Sequence, residues 1–346
     1  MTLALDPGTR FTATLEHVLG GGELAPDAAT RALDDLLDPA VPAGRKAALL
    51  AALRARGETS AELVAFARGL LARAQDVPRA RSRACADTAG TGGDGSGSFN
   101  LSTAAALLVA ALGVPVAKHG NRAVSSRCGS ADLIEALALP LHATPTAAAR
   151  ALEQRGFAFL FAPHFHPAMA AVGALRRELG VRTIFNLLGP LVNPARPSHQ
   201  LVGAPSASLA ERLAHALHGR GGVRAFVVHG GGFDEATPCG PFELFRVSPT
   251  GVQADRLAPE DFGLERARPA DLAGSDARSN AARLEGLFAA REHGPLRDAV
   301  CLNAALVLLL VERERSPRAA LRAAAAALDD GRAERFLVGL REGDAP

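Results

Sequence analysis

At Asp76-Val77-Pro78 the spacing of apolar residues changes from one repeat to another. Before it, residues 10 to 75 repeat only at helical intervals: Leu15, Val18 and Leu19; Ala32, Leu33, Leu36 and Leu37; Ala48, Leu49, Ala52 and Leu53; Leu63, Phe66, Ala67 and Leu70. Side chains three and four apart share a helix face, so four short amphipathic helices are expected. Their start signals are Asp27 ahead of the second, Pro42 near the third, and Thr59 with Glu62 as a capping box for the fourth. Beyond residue 78, β-like runs at Ala84 to Thr88, Val114 to Ala117, Phe157 to Phe161 and Arg224 to His229 alternate with helices at Thr103 to Leu112, Ala131 to Ala138, Thr146 to Arg155 and Leu209 to His218. The stretch from Thr250 through Ser275 reads as surface loop with some strand. Helices at Arg278 to Arg291, Leu296 to Arg313 and Pro317 to Leu328 close the chain as scaffold. Strands alternating with helices indicate a mainly parallel sheet. The expected fold class is α/β: a small N-terminal all-helical domain, residues 1–76, and a large α/β domain, residues 77–346, around that sheet.

Composition excludes several functions. A net charge of +2 on 346 residues is too small for a general nucleic-acid or membrane surface, so any electropositive region belongs to a local site. Cys85, Cys128, Cys239 and Cys301 lie far apart, without zinc-like spacing, and read as reduced thiols. The first ten residues show no export signal, and the longest apolar runs fall far below the ~20 residues that span a bilayer. A soluble, cytoplasmic protein is expected.

Chemistry concentrates between Asp87 and Asp132. Gly90, Gly92, Gly93, Gly95 and Gly97 leave backbone amides unobstructed, and Ser102 and Thr103 stand where a helix opens and its dipole favours negative charge. A Lys118-His119-Gly120-Asn121-Arg122 segment follows. Only two of the 38 basic side chains are lysines, Lys46 and Lys118, so a lysine here marks a compact point charge. A phosphate or pyrophosphate is the expected guest; a flexible surface loop is the alternative. Gly90, Gly92 and Gly95 satisfy G-x-G-x-x-G, but the helix opens too late and the acidic ribose ligand expected ~20 positions on is missing, which argues against a dinucleotide fold. No Gly-Lys-Ser/Thr follows, which excludes a P-loop.

Asp94 would repel a polyphosphate unless a cation offsets it or its oxygens are held by hydroxyls or backbone donors. Asp234 and Glu235 follow a strand and three glycines, the place for a site loop in an open α/β sheet. Hard oxygen ligands at a strand end suit Mg²⁺; a solvated Asp-Glu turn is the alternative.

The runs GTGGDGSGSFNLSTA (Gly90 to Ala104), KHGNRAVSS (Lys118 to Ser126), HPAMAAVGALRRELGVRTIFNLLGPLVNPA (His166 to Ala195) and GGFDE (Gly231 to Glu235) resemble the anthranilate phosphoribosyltransferase family, in order, over about residues 80 to 245. The resemblance implies an α/β domain of the nucleoside phosphorylase/phosphoribosyltransferase type. Its small domain would borrow roughly residues 167–188, and its homodimer would join through the helical domains. It implies transfer of the phosphoribosyl group of phosphoribosyl pyrophosphate to the amine of anthranilate, with release of pyrophosphate, in tryptophan biosynthesis. By the same resemblance phosphoribosyl pyrophosphate would meet Gly90, Gly93, Asp94, Ser98, Asn100, Leu101, Ser102, Thr103, Lys118, His119, Gly120, Asn121, Arg122, Ala123, Val124, Ser125, Ser126 and Ser130. Anthranilate would meet Gly90, Asn121 and Arg176, with His119, His166 and Pro190 along its path, and Mg²⁺ would lie on Ser102, Asp234 and Glu235.

Breaking the anomeric bond builds negative charge on the leaving group, so cations at the pyrophosphate matter more than a strong base. Lys118 and Arg122 are the expected cations, and a largely neutral arylamine needs no general base. Arg176 would take the anthranilate carboxylate; a solvated helix face is the alternative for Arg176 and Arg177. His164 and His166 lack a third ligand nearby and are not expected to bind metal. Cys128 near a lysine is a reactive thiol or, as the better reading, a buried inert one. Pyrimidine nucleoside phosphorolysis on the same architecture, and a non-catalytic nucleic-acid-binding relative, are the competing functions.

Overall fold

The computed structural model describes residues 7–78, 84–123 and 127–342. Four helices come first, α1 (Pro7–Leu19), α2 (Pro26–Leu37), α3 (Ala43–Arg56) and α4 (Ser60–Leu71). Both arms of the capping box are present: the Glu62 amide donates to Thr59 Oγ1 at 3.2 Å, and the Thr59 amide to Glu62 Oε2 at 2.9 Å. Glu62 is fully buried, and its other oxygen accepts from the Leu24 amide, which ties α4 to the α1–α2 connection. Asp27 is not a cap; it lies in the first turn of α2, where its charge faces the positive end of the helix.

Then follow β1 (Ala86–Gly90), α5 (Leu101–Ala111), β2 (Val116–Gly120), α6 (Ser130–Ala136), α7 (Pro145–Arg155) and β3 (Phe157–Phe161). A short α8 (Ala162–Phe165) leads out to α9 (Ala170–Leu179) and α10 (Ile184–Leu187), after which the chain returns as β4 (His199–Gly203), α11 (Ala207–Arg220) and β5 (Arg224–His229). The sheet ends in β6 (Phe242–Ser248) and β7 (Gly251–Leu257). The chain closes with α12 (Pro259–Phe262), α13 (Ala277–Phe288), α14 (Pro295–Leu310), α15 (Pro317–Asp329) and α16 (Arg332–Glu342).

Among the described residues seven strands lie in the order β3-β2-β1-β4-β5-β6-β7. The first five are mutually parallel, while β6 and β7 run antiparallel as an edge hairpin. Successive side chains of a strand point to opposite faces, and the burial follows that rule. Phe226, Val228 and Leu244 join an apolar cluster with α5, α13 and α14, while Ala225, Val227 and Phe245 join one with α2, α3, α4 and α11. Val172, Ile184, Phe185, Leu187 and Leu188 are buried in the second cluster, so the excursion through α9 and α10 packs with the helical bundle. Every residue of α5 from Thr103 to Ala110 is buried, as its nearly all-apolar sequence requires.

Among the elements not expected from sequence are β4, β6 and α16, while one further strand falls where some strand was expected. The strand expected within the loop-like stretch from Thr250 to Ser275 is β7, half of the edge hairpin. Strands β4 and β6 were not anticipated, because HQLVG and FELFRVS are short and interrupted by polar groups. Nor was α16, where Ala333, Leu337 and Leu340 make one buried face.

Candidate active site

Strand order reverses between β1 and β4, so the connections leaving their carboxyl ends diverge and open a crevice. Gly90 and Gly203 end these strands and are partners in register. The loop after β5 crosses there at close range: a Cβ on Gly203 would stand 1.4 Å from the Asp234 carbonyl oxygen, and one on Gly90 2.2 Å from Asp234 Oδ2. Only glycine at both strand ends lets the acidic loop lie across the crevice. The two loops are bonded reciprocally. The Gly92 amide donates to Asp234 Oδ2 at 2.7 Å, and the Asp234 amide to Asp94 Oδ2 at 3.3 Å. One loop amide expected to face a guest is therefore held by the protein's own carboxylate. Asp94 also accepts from the Ser96 amide and hydroxyl, so its oxygens are partly held by local donors.

Asp94, Asp234 and Glu235 bring carboxylate oxygens within 4.8 Å of one another. Burial, then repulsion by Asp94, pushes Asp234 up to about 7; burial and both aspartates push Glu235 well above its ordinary range. Glu235 Oε2 is buried without a hydrogen-bond partner among the described residues. Three crowded hard oxygens, one of them unsatisfied, fit a small divalent cation. Asp94 thus joins the expected set of Ser102, Asp234 and Glu235. Ser102 lies in the first turn of α5, where its amide faces Glu235 and its hydroxyl is 3.4 Å from Lys118 Nζ.

The cations are arranged differently from expectation. Lys118, 1% exposed on β2, donates to the Thr88 carbonyl at 2.6 Å, and burial lowers it to about 8 despite Asp87 beside it. Asp87 is itself buried and held by Asn193 Nδ2 at 2.8 Å. Arg122 is bonded to Glu135 and Asp132 and lies over the Phe161 ring, so its charge is already paired. Sequence reasoning missed Arg182, which donates to the Gly93 carbonyl at 3.1 Å and the Thr91 carbonyl at 3.5 Å. Gly93 has φ +73°, which favours glycine, and a Cβ there would also stand 2.2 Å from the Arg182 guanidinium. Arg182 stood inside the matched HPAM to NPA run, but without a partner in sequence nothing marked it.

The remaining expected residues among those described lie in the glycine loop, at the start of α5, at and just beyond the end of β2, and at the start of α6. Ser98 pairs with Ala273, Asn100 bonds to the Cys128 carbonyl, and Leu101 is buried; the Thr103 hydroxyl is buried without a partner among the described residues. Gly120 lies against Ser130, whose hydroxyl donates to the Asn121 carbonyl, and the Ala123 amide donates to Asp132. Val124, Ser125 and Ser126 lie outside the described residues. Burial pushes the Cys128 thiol up to about 11, which makes it an inert side chain at neutral pH.

A second set of groups lies where β2 meets the returning chain. The His119 and His166 rings stand 5.1 Å apart, edge to face. His119 Nδ1 faces the Gly189 carbonyl and His166 Nε2 the Val192 carbonyl. A carbonyl only accepts, so both nitrogens carry hydrogen, and His119 Nε2 and His166 Nδ1 present lone pairs. Both of these atoms are buried without a partner among the described residues. Burial keeps the pair neutral, lowering His119 to about 3 and His166 in the same direction. Pro190 is buried in the same turn, its carbonyl accepting from Gln200 at 2.8 Å. Arg176 is partly buried with its guanidinium 5.6 Å from the Phe185 ring centre, whereas Arg177 is exposed.

The profile of the family described as "Glycosyl transferase family, a/b domain" matches residues 82–334, and that of the "Glycosyl transferase family, helical bundle domain" matches residues 12–74. The anthranilate phosphoribosyltransferase of Desulforudis audaxviator is 47% identical over 330 residues, covering 95% of this chain and 94% of that protein. The chain belongs to the anthranilate phosphoribosyltransferase family. The anthranilate phosphoribosyltransferase structure from Thermus thermophilus has a TM-score of 0.86 at 43% identity, covering 95% of this chain and 99% of that one. The Saccharomyces cerevisiae anthranilate phosphoribosyltransferase, in complex with PRPP and Mg, has a TM-score of 0.88 at 26% identity, covering 96% of this chain and 97% of that one. Family membership accounts for both architectural parts, a helical bundle and an α/β domain around a mostly parallel sheet.

Proposed function

We propose that this chain transfers the 5-phosphoribosyl group of phosphoribosyl pyrophosphate to the amine of anthranilate and releases pyrophosphate. The observation that carries the reading is the convergence of Asp94, Asp234 and Glu235 beneath the glycine loop, with Glu235 Oε2 left unsatisfied. The family assignment favours it over nucleoside phosphorolysis and nucleic-acid binding. Asp234 and Glu235, with Ser102 and Asp94, would hold Mg²⁺. Bound there, magnesium supplies neutralisation of charge on the departing pyrophosphate. The loop amides, the positive end of α5 and the backbone at Gly120 to Ala123 hold the phosphates. Lys118 contributes a fixed charge from beneath the loop rather than a mobile one. Arg182 orders the loop carbonyls and keeps its own charge near Asp94 and Asp234.

The bond from the amine nitrogen to ribose C1 forms as the bond from C1 to the pyrophosphate oxygen breaks, and the amine loses a proton. His119 Nε2 and His166 Nδ1 are acceptors suited to the amine hydrogens, and neutral imidazoles orient that group without repelling a cationic sugar. Arg176 would take the carboxylate, held in direction by Phe185. We take the small domain as residues 1–76 completed by roughly 167–188, and the protein as a cytoplasmic homodimer joined through those helices. Among the described residues no helix is long and apolar enough to cross a membrane. The test is to mix purified protein with phosphoribosyl pyrophosphate, Mg²⁺ and anthranilate and follow the loss of anthranilate fluorescence, omitting each component in turn. Unchanged fluorescence in the complete mixture overturns the reading.

A further inference from the structure

The segment from Leu272 to Asn280 runs against the glycine loop. Ser98 and Ala273 form an isolated antiparallel bridge, the Phe99 amide donates to the Leu272 carbonyl at 2.8 Å, and the Gly274 amide to the Gly97 carbonyl at 2.8 Å. A Cβ on Gly274 would stand 2.6 Å from the Ser98 carbonyl oxygen, so this approach requires glycine. Behind it, in the first turn of α13, Asn280 is 1% exposed. Its Oδ1 accepts from the Ser275 amide at 2.8 Å, which fixes its orientation, because an N–H only donates. Its Nδ2 therefore faces Asn100 Oδ1 at 3.0 Å, and also reaches the Ser275 carbonyl. Asn100 Nδ2 in turn donates to the Cys128 carbonyl at 3.0 Å. The relay has one direction, from the Ser275 N–H to the Cys128 C=O. Turning either amide over would oppose like groups.

We propose that Asn280 is a positioning residue for phosphoribosyl pyrophosphate, acting through Asn100 to hold the end of the glycine loop against the Cys128 backbone. The inference rests on the reaction proposed above. Gly92, Gly93, Gly95 and Gly97 all have positive φ, between 62° and 73°, so the loop has a wide conformational choice of its own. Its amides serve an anion only when held in one arrangement before the anion arrives. The Leu272 to Ser275 backbone and the amide relay supply that restraint from outside the loop, and Asn280 needs no contact with substrate to do so.

Two variants attack the brace from different sides. Asn280→Asp keeps the acceptor for Ser275 but replaces the donor facing Asn100 with an acceptor. Gly274→Ala leaves Asn280 intact and wedges the backbone pairing apart, which covers the case that a buried carboxylate prevents folding. Each is assayed with both substrates varied, alongside hydrogen exchange at the Phe99 and Gly274 amides. The expected result is a rise of about tenfold in KM for phosphoribosyl pyrophosphate, as for loss of a buried hydrogen bond, with KM for anthranilate unchanged and exchange protection lost at both amides. An unaltered KM for phosphoribosyl pyrophosphate in folded variants overturns the proposal, as does an equal loss toward both substrates. Absence of product from the parent protein overturns the reaction instead. In that event the brace still fails or stands on the exchange data alone.

Discussion

Arg176 and Arg177 are adjacent but differently placed: the first is half-buried over Phe185, the second exposed. Arg176→Ala is expected to lower kcat/KM for anthranilate by roughly ten- to hundredfold, as for a lost charge-assisted hydrogen bond. Arg177→Ala is expected to leave it unchanged, and steady-state kinetics with anthranilate varied separates the two. The imidazoles give a pH prediction. Burial holds His119 down at about 3 in the fold, whereas an unfolded chain takes up that proton near the ordinary imidazole value of about 6.5. Below pH 6.5 the unfolded state therefore binds more protons, and stability falls by up to ~1.4 kcal/mol per pH unit from this residue. Above that pH it contributes nothing. Denaturation midpoints of the parent and His119→Phe between pH 7 and pH 4 should diverge, the variant falling less steeply. At this scale the sequence was informative about residue types and poor about pairings. Asp234 and Glu235 stood out by their place after a strand. That Arg122 is neutralised by Glu135 and Asp132, that Lys118 points at a carbonyl, and that Arg182 lies over Gly93 are facts of tertiary proximity, which no local pattern encodes.

Among the elements, the crossing of the β5 loop over the ends of β1 and β4 is the most demanding piece of geometry. Gly203→Ala places a methyl group inside the Asp234 carbonyl, so the acidic loop must move. The expected outcome is a rise of about tenfold or more in KM for phosphoribosyl pyrophosphate, together with a stability loss of ~1–3 kcal/mol from overpacking. Titration calorimetry with Mg²⁺ and chemical denaturation read the two effects. The Thr59 cap belongs to another part of the fold, and Thr59→Ala should cost about 1 kcal/mol without touching the kinetics. Elements with a complete local signature were legible: the four opening helices, the capping box, β3, β5, and α15 with Ser316 capping through its hydroxyl. The helices and strands beside the glycine loop were found with shifted ends, β1 at Ala86–Gly90 and α5 from Leu101. What escaped was β4, whose burial comes from neighbours on both sides, and β6, whose polar interruptions hide a strand; its partner β7 fell within the stretch read as loop with some strand.

For the molecule as a whole, metal, substrate and fold are linked. Chelation of Mg²⁺ is expected to bring anthranilate turnover to background, and readdition to restore it. Phosphoribosyl pyrophosphate with Mg²⁺ at a hundred times its Kd should stabilise the folded protein by about 2.7 kcal/mol, visible as a raised Tm that neither component alone produces. In metal-free buffer above pH 7, Asp234→Asn should raise Tm, because it relieves one of three crowded carboxylate charges, and with Mg²⁺ supplied the same variant should lose activity. The two-part architecture followed from the change of period at residue 76, but the sequence pattern did not show how far the parts share a core. Val172, Ile184, Phe185, Leu187 and Leu188 are buried with the opening helices, and the same excursion delivers Arg176 and Arg182. A chimera that swaps only the first 76 residues between relatives would mate a foreign bundle with a native strap. Grafts in this scaffold should therefore be cut in three places rather than one.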